Sequence, residues 1–113
     1  MNKVIIIGNL TKDPEIRNTK TGKTCASLTV AVDRKFKNAD GKHETDFFPV
    51  VAWGRTGELC AQYLVKGNSV GIEGRIQTRS YEAQDGTRRY VTEIVADEVD
   101  FLTSKYGGQS KQG

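Results

Sequence analysis

Two cysteines and one histidine are all that this 113-residue chain offers to a soft metal or a His-dependent nucleophile. Cys25 and Cys60 stand far apart with no Cys-x-x-Cys spacing, and His43 lies alone in a polar stretch. A zinc site, a disulfide framework and a catalytic triad therefore find no support. Two buried, reduced thiols in a cytoplasmic protein are the expectation. No apolar run approaches the roughly 20 residues of a membrane span. Val4–Ile7 ends at Gly8, too short even for the apolar segment of a secretory signal.

A large excess of one charge is missing too. Seventeen Lys and Arg face 14 Asp and Glu, a net charge of +3, and the mean hydropathy of -0.53 is that of a soluble chain. The distribution says more than the total: residues 1–92 carry +5, while 93–104 hold Glu93, Asp97, Glu98 and Asp100 without a base. Neighbours on a strand point to opposite faces, so Asp97, Glu98 and Asp100 read as a solvated edge and not a metal cluster. Gly22-Lys23-Thr24 ends like a phosphate-binding loop, but Arg17 stands where its first glycine belongs and no helix follows. With no nucleophile–base pair and no metal set, the chain reads as a non-enzyme without cofactor.

What the sequence has in plenty is alternation. Between Cys25 and Phe36, Ala26, Leu28, Val30 and Val32 alternate with polar or small residues, the pattern of a half-buried strand. Between Thr45 and Trp53, Phe48, Val50 and Ala52 share one face while Phe47, Val51 and Trp53 share the other. The turn residues 38–42 join the two strands into a hairpin. Over Ser69–Tyr81, Val70, Ile72 and Ile76 are placed on the core face, and Asp85-Gly86 closes a second hairpin into Arg88–Leu102, where Val91, Val95 and Val99 recur. Lys3–Leu10 is apolar on both faces: Val4, Ile6 and Leu10 point inward, leaving Ile5 and Ile7 outside to invite a second subunit.

One segment departs from this period. Gly57–Lys66 sets Leu59, Cys60, Tyr63 and Leu64 at helical spacing, with Thr56 as N-cap, Glu58 in the first turn, Lys66 in the last and Gly67 as the left-handed terminator. Three strands, one short helix and two strands predict an all-β chain. The architecture is a five-stranded Greek-key barrel, the OB-fold, with the helix between strands 3 and 4. A flat sheet with the helix on one face is the alternative. One domain spans 1–103, as the length suggests, and 104–113 reads as a flexible stub rich in Gly, Ser, Gln and Lys.

The face opposite the core carries the chemistry. Arg75, Gln77, Arg79 and Tyr81 alternate with the inward residues of their strand, Phe47 and Trp53 face outward on theirs, and Phe36 sits among Arg34, Lys35 and Lys37. Rings interleaved with cations suit a single nucleic-acid strand, because any base can stack on a ring while Lys and Arg hold phosphates without reading sequence.

The segments Asn2–Leu10, Asp13–Arg17, Val50–Arg55, Tyr63–Gly67, Ile72–Arg79 and Tyr90–Glu93 make residues 2–103 resemble the bacterial and phage single-stranded DNA-binding protein family. The resemblance implies an OB-fold that coats single-stranded DNA during replication, recombination and repair, as a homotetramer in the cytoplasm. Phe36, Phe47, Trp53 and Tyr81 would be the stacking rings. Arg34, Lys35, Arg55, Arg75 and Arg79, then Lys12, Arg17, Arg88 and Arg89, are the phosphate candidates. Ile5, Ile7 and Phe48 would meet other subunits, Phe48 where the family often has histidine. Trp is frequent in the family at the positions of Phe36, Phe47 and Tyr81, so weaker stacking is expected. The family's acidic C-terminal tip, which recruits other proteins, has no counterpart here, and such recruitment is not expected. An OB-fold RNA-binding or primosome-type module is the alternative.

Overall fold

The computed structural model describes residues 1–106. Among them the chain forms β1 (Val4–Leu10), β2 (Glu15–Asn18), β3 (Thr24–Lys37), β4 (His43–Trp53), α1 (Gly54–Tyr63), β5 (Ser69–Glu82) and β6 (Arg88–Phe101). Hydrogen bonding runs β1-β5-β6-β4-β3, and β3 returns to β1 at Asn9↔Ala31 and Leu10↔Val30. That closure makes a five-stranded OB-fold barrel. β4 and β6 meet in parallel, at Val50↔Ile94 and Val51↔Val95, and the other pairings are antiparallel. The helix lies between the third and fourth barrel strands. β2, which pairs only with β3, is a short extra strand that the sequence pattern did not reveal. All four of its residues are exposed, so it has no alternation to read.

The inward residues are those the alternation selects. Ala26, Leu28, Val30, Val50, Ala52, Val70, Ile72 and Leu10 are buried together with Val99 and Phe101. Each large aliphatic or aromatic side chain removed from water there contributes about 1.5–3 kcal/mol. Two expectations fail on β5 and β6. Ile76 keeps the core parity but is half exposed, because β5 and β6 run on past the barrel as a projecting hairpin. Along β6, Ile94 and Ala96 face the core, and a register shift at Asp97 then reverses the parity so that Val99 and Phe101 face it next. Val95 therefore lies on the opposite face from Val99.

The helix also differs at both ends. Gly54 adopts φ +60 and turns the chain from β4 directly into α1, so Trp53, and not Thr56, occupies the N-cap position, without a side-chain cap bond. Glu58 falls beyond the first turn, and Lys66 lies past the end, where Leu64 N–H donates to Cys60 O. Gly67 is left-handed, but in the turn that follows, where its N–H donates to Leu10 O. Leu59, Cys60 and Leu64 dock as the spacing predicts.

Of the two thiols only Cys60 is buried, and Cys25 is partly exposed. The stretch expected to be flexible from residue 104 begins with packed residues. Ser104 is buried, Lys105 N–H donates to Tyr63 O at 2.9 Å, and the Tyr106 ring stands edge-on to Tyr63 at 5.6 Å. Residues 107–113 of that stretch lie outside the described residues. No described helix is long and apolar enough to cross a membrane.

Candidate nucleic-acid interface

Pairing across the sheet shows which outward side chains share a surface. Val51, Val95 and Arg75 lie side by side on β4, β6 and β5. The Phe47–Trp53 side of β4 and the Arg75–Tyr81 side of β5 therefore form one continuous outer face. On it, Trp53 stands opposite Cys25, Phe47 opposite Ala31, Arg79 opposite Val91 and Tyr81 opposite Arg89. Trp53 is 44% exposed, Tyr81 45% and Phe47 62%, although most rings of this size are drawn into cores. Beside Trp53 an open cleft of about 460 Å³ runs between the β2–β3 turn and the start of α1, lined by Lys23, Thr24, Gly54 and Glu58.

Phe36 stands apart from this group. It lies eleven residues beyond Cys25 along β3, about 36 Å in an extended strand. The register between β3 and β4 shifts at that point, between Asp33 and Lys37. There it is 79% exposed, with Lys35 Nζ 5.9 Å from the ring centre.

The candidate cations divide by their partners. Arg34 is held on three nitrogens: Nε and Nη2 donate to Asp46 and Nη1 to Glu44, at 3.1, 3.1 and 2.6 Å. The hydrogen bond from Arg34 lowers the Asp46 pKa, and the same bond raises that of Arg34. Arg34 thus acts as a clamp on the β3–β4 hairpin, with each of its three nitrogens bound to a carboxylate. Arg75 donates to Asp97 and Arg79 to Glu93, both at 2.9 Å, while Arg89 reaches Asp85 at 3.4 Å. Lys12 is paired with Glu15 on the β1–β2 connection, and this contact lowers the Glu15 pKa. Among the described residues, Arg17, Lys35, Arg55 and Arg88 have no carboxylate partner. Arg17 sits opposite Cys25 and Arg55 two residues after Trp53, both at the Trp53 end of the face.

Sequence reasoning passed over two residues of this face, Cys25 and Glu93. Burial raises the Cys25 thiol pKa, Arg17 and Arg79 pull it down and Glu93 pushes it up, so these groups are within each other's field. The strand pairing Cys25↔Trp53 is the signal that could have found the first. In the sequence Glu93 reads as one of an acidic stretch and the end of the Tyr90–Glu93 segment, with no sign of a place on this face.

The expected subunit contacts fall on two separate patches. Ile5 and Ile7 are 68% and 64% exposed and line a hollow with Gly71, Leu102 and the carboxylates Glu73, Glu98 and Asp100. Phe48 is packed partly against the core and lines a second cavity of about 130 Å³ with Val4, Pro49 and Ile76. Tyr90 pairs with Ser80 and lies on the same reverse side of the β5–β6 hairpin as Ile76.

A closed OB-fold barrel carrying exposed rings and guanidinium groups on a single outer face is the architecture these observations define. The chain matches the model of the single-strand binding protein family over residues 1–102, and it belongs to that family. It is 57% identical over 114 residues to a single-stranded DNA-binding protein of Clostridium tetani, covering all of this chain and 77% of that protein. Single-stranded DNA-binding protein 3 of Clostridium acetobutylicum is 61% identical over 103 residues, 90% of this chain and 71% of the relative. Single-stranded DNA-binding protein 1 of the same organism is 46% identical over 106 residues, 93% of this chain and 96% of its own length.

Proposed function

We propose that the protein binds and coats single-stranded DNA with little regard to sequence, without catalysing a reaction or needing a cofactor. The observation that carries this reading is the shared outer face of Phe47, Trp53, Arg79 and Tyr81. Bases stack on the rings, each contact contributing about 1–3 kcal/mol. Phosphates run along Arg17, Arg55, Arg75 and Arg79, with Arg88 and Arg89 at the β5–β6 hairpin. Phe36 and Lys35 extend the path along β3. Arg34 serves its hairpin first, since two carboxylates hold all three of its nitrogens, and Lys12 is paired with Glu15 on the β1–β2 connection. A strand stacked in this way can neither re-anneal nor fold on itself, which serves DNA replication, recombination and repair in the cytoplasm.

The two patches, each with exposed or half-buried apolar side chains, support a homotetramer, because a dimer of dimers needs two self-complementary surfaces and one patch alone yields a pair. Ile5 and Ile7 lie on a strand that meets β3 only at Asn9 and Leu10, so the backbone of residues 4–8 has an open edge.

The test compares labelled oligo-dT, oligo-U and duplex DNA of equal length by fluorescence anisotropy. Tight binding of oligo-dT over the other two is expected. Equal affinity for oligo-U would favour the RNA-binding alternative, since the 2′-hydroxyl is what such a surface can discriminate. No response to any of them would overturn the proposal.

A further inference from the structure

Among the described ion pairs, one stands out by where its acid sits. The Glu93 side chain is 7% exposed, whereas every other carboxylate in such a pair is at least 40% exposed. It lies on the outer face, opposite Gln77 and diagonal to Arg79, and its Oε1 accepts the Arg79 Nε–H at 2.9 Å. Nη1 and Nη2 of Arg79 donate to no protein group among the described residues, and half of the side chain remains in solvent. Arg34 is the opposite case, with all of its nitrogens engaged.

We propose that Glu93 is a positioning residue for single-stranded DNA: it anchors the inner nitrogen of Arg79 so that the two outer nitrogens are held ready for a phosphate of the strand. This rests on the proposed function. The exposed carboxylates can swing into water when a phosphate arrives, and salt screens their attraction beforehand. Glu93 cannot move away so cheaply, because a carboxylate this far from water is stable only while paired. Arg79 is therefore oriented before DNA arrives, and the freedom a long side chain normally loses on binding is already lost. A planar guanidinium anchored at Nε also presents its outer fork in a fixed direction, which an ammonium group would not do. The opposing view is that Glu93 merely competes with phosphate for Arg79. The two views predict opposite signs on removing its charge.

Oligo-dT affinity at several salt concentrations is measured for the wild type, Glu93→Gln, Glu93→Asp, Arg79→Met and the double variant R79M/E93D, each checked for an intact thermal transition. Glutamine keeps an acceptor at the same reach but gives up the charge that locks the pair, so E93Q is expected to bind about two- to fivefold more weakly, with an unchanged salt slope. Aspartate keeps the charge but withdraws the acceptor by one methylene, so E93D is expected to bind about two- to tenfold more weakly. In the R79M background the aspartate substitution should cost nothing further. Tighter binding and a steeper salt slope for E93Q would establish competition and overturn the proposal. An unchanged E93Q or E93D, or an equal loss with Arg79 absent, would overturn it as well. A wild type that ignores oligo-dT would overturn the proposed function and this inference together, whereas wild-type binding with an indifferent E93D overturns this inference alone.

Discussion

Trp53 and Cys25 face each other across β3 and β4 on the proposed groove, and each provides its own test. Trp53→Ala should weaken oligo-dT binding by about 1–3 kcal/mol per site, read by anisotropy of a labelled strand. An unchanged affinity would remove Trp53 from the groove. The Cys25 thiol, raised by burial, is mostly protonated near neutrality, so its alkylation should speed up about tenfold per pH unit below its pKa. Cys60, pushed up to about 12 by burial alone, should stay unlabelled in the folded protein. Saturating oligo-dT should slow Cys25 labelling, followed by mass spectrometry; equal rates with and without DNA would place the strand elsewhere. Single residues were also where the sequence was most and least informative. Trp53 and Phe47 were legible because Phe48, Val50 and Ala52 claim the other face by parity alone. Glu93 was not, since nothing in a local pattern says that an acid among acids is buried under an arginine from the next strand.

Elements were legible where alternation is strict and illegible where the chain departs from it. The β3–β4 hairpin follows from its two-residue period and its glycine-bearing turn. The reversal of parity at Asp97 does not, because a bulge leaves no mark beyond the clustered Ile94, Val95, Ala96 and Val99. Helix α1 shows a similar limit: Leu59, Cys60 and Leu64 were read correctly, but its start depends on Gly54 taking a positive φ, a property of the path and not of capping residues. The same helix offers a counterintuitive prediction. Alanine exceeds glycine by about 1 kcal/mol in helix propensity. Yet a Cβ on Gly57 would stand 2.4 Å from Ala52 O and 3.2 Å from Ala26 N, both backbone atoms. Gly57→Ala should therefore destabilise the fold by about 1–3 kcal/mol through overpacking, seen as a lower urea midpoint. A higher midpoint would mean that α1 does not lie so close to β4.

For the whole molecule, the modest net charge of +3 conceals an arrangement. Acids are concentrated in β6 and its surroundings, while Arg17, Arg75 and Arg79 share a face with three exposed rings and Arg55 follows Trp53 at the start of α1. Assembly would multiply that face. Replacing Ile5 and Ile7 together by glutamate should lower the mass seen in light scattering from that of the proposed tetramer to a smaller species; an unchanged mass would exclude this patch from the interface. The barrel itself was legible from the order of strands and helix, and the small β2 was not, because an exposed strand with no buried face has no periodicity to betray it.

The central claim is that bases stack on this face while its cations hold the phosphates. A titration of the only tryptophan tests both halves at once. Oligo-dT should strongly quench Trp53 fluorescence, and the logarithm of the affinity should fall with the logarithm of salt concentration at a slope of about -0.7 per phosphate held. Binding without quenching, or quenching with a slope near zero, would contradict the account.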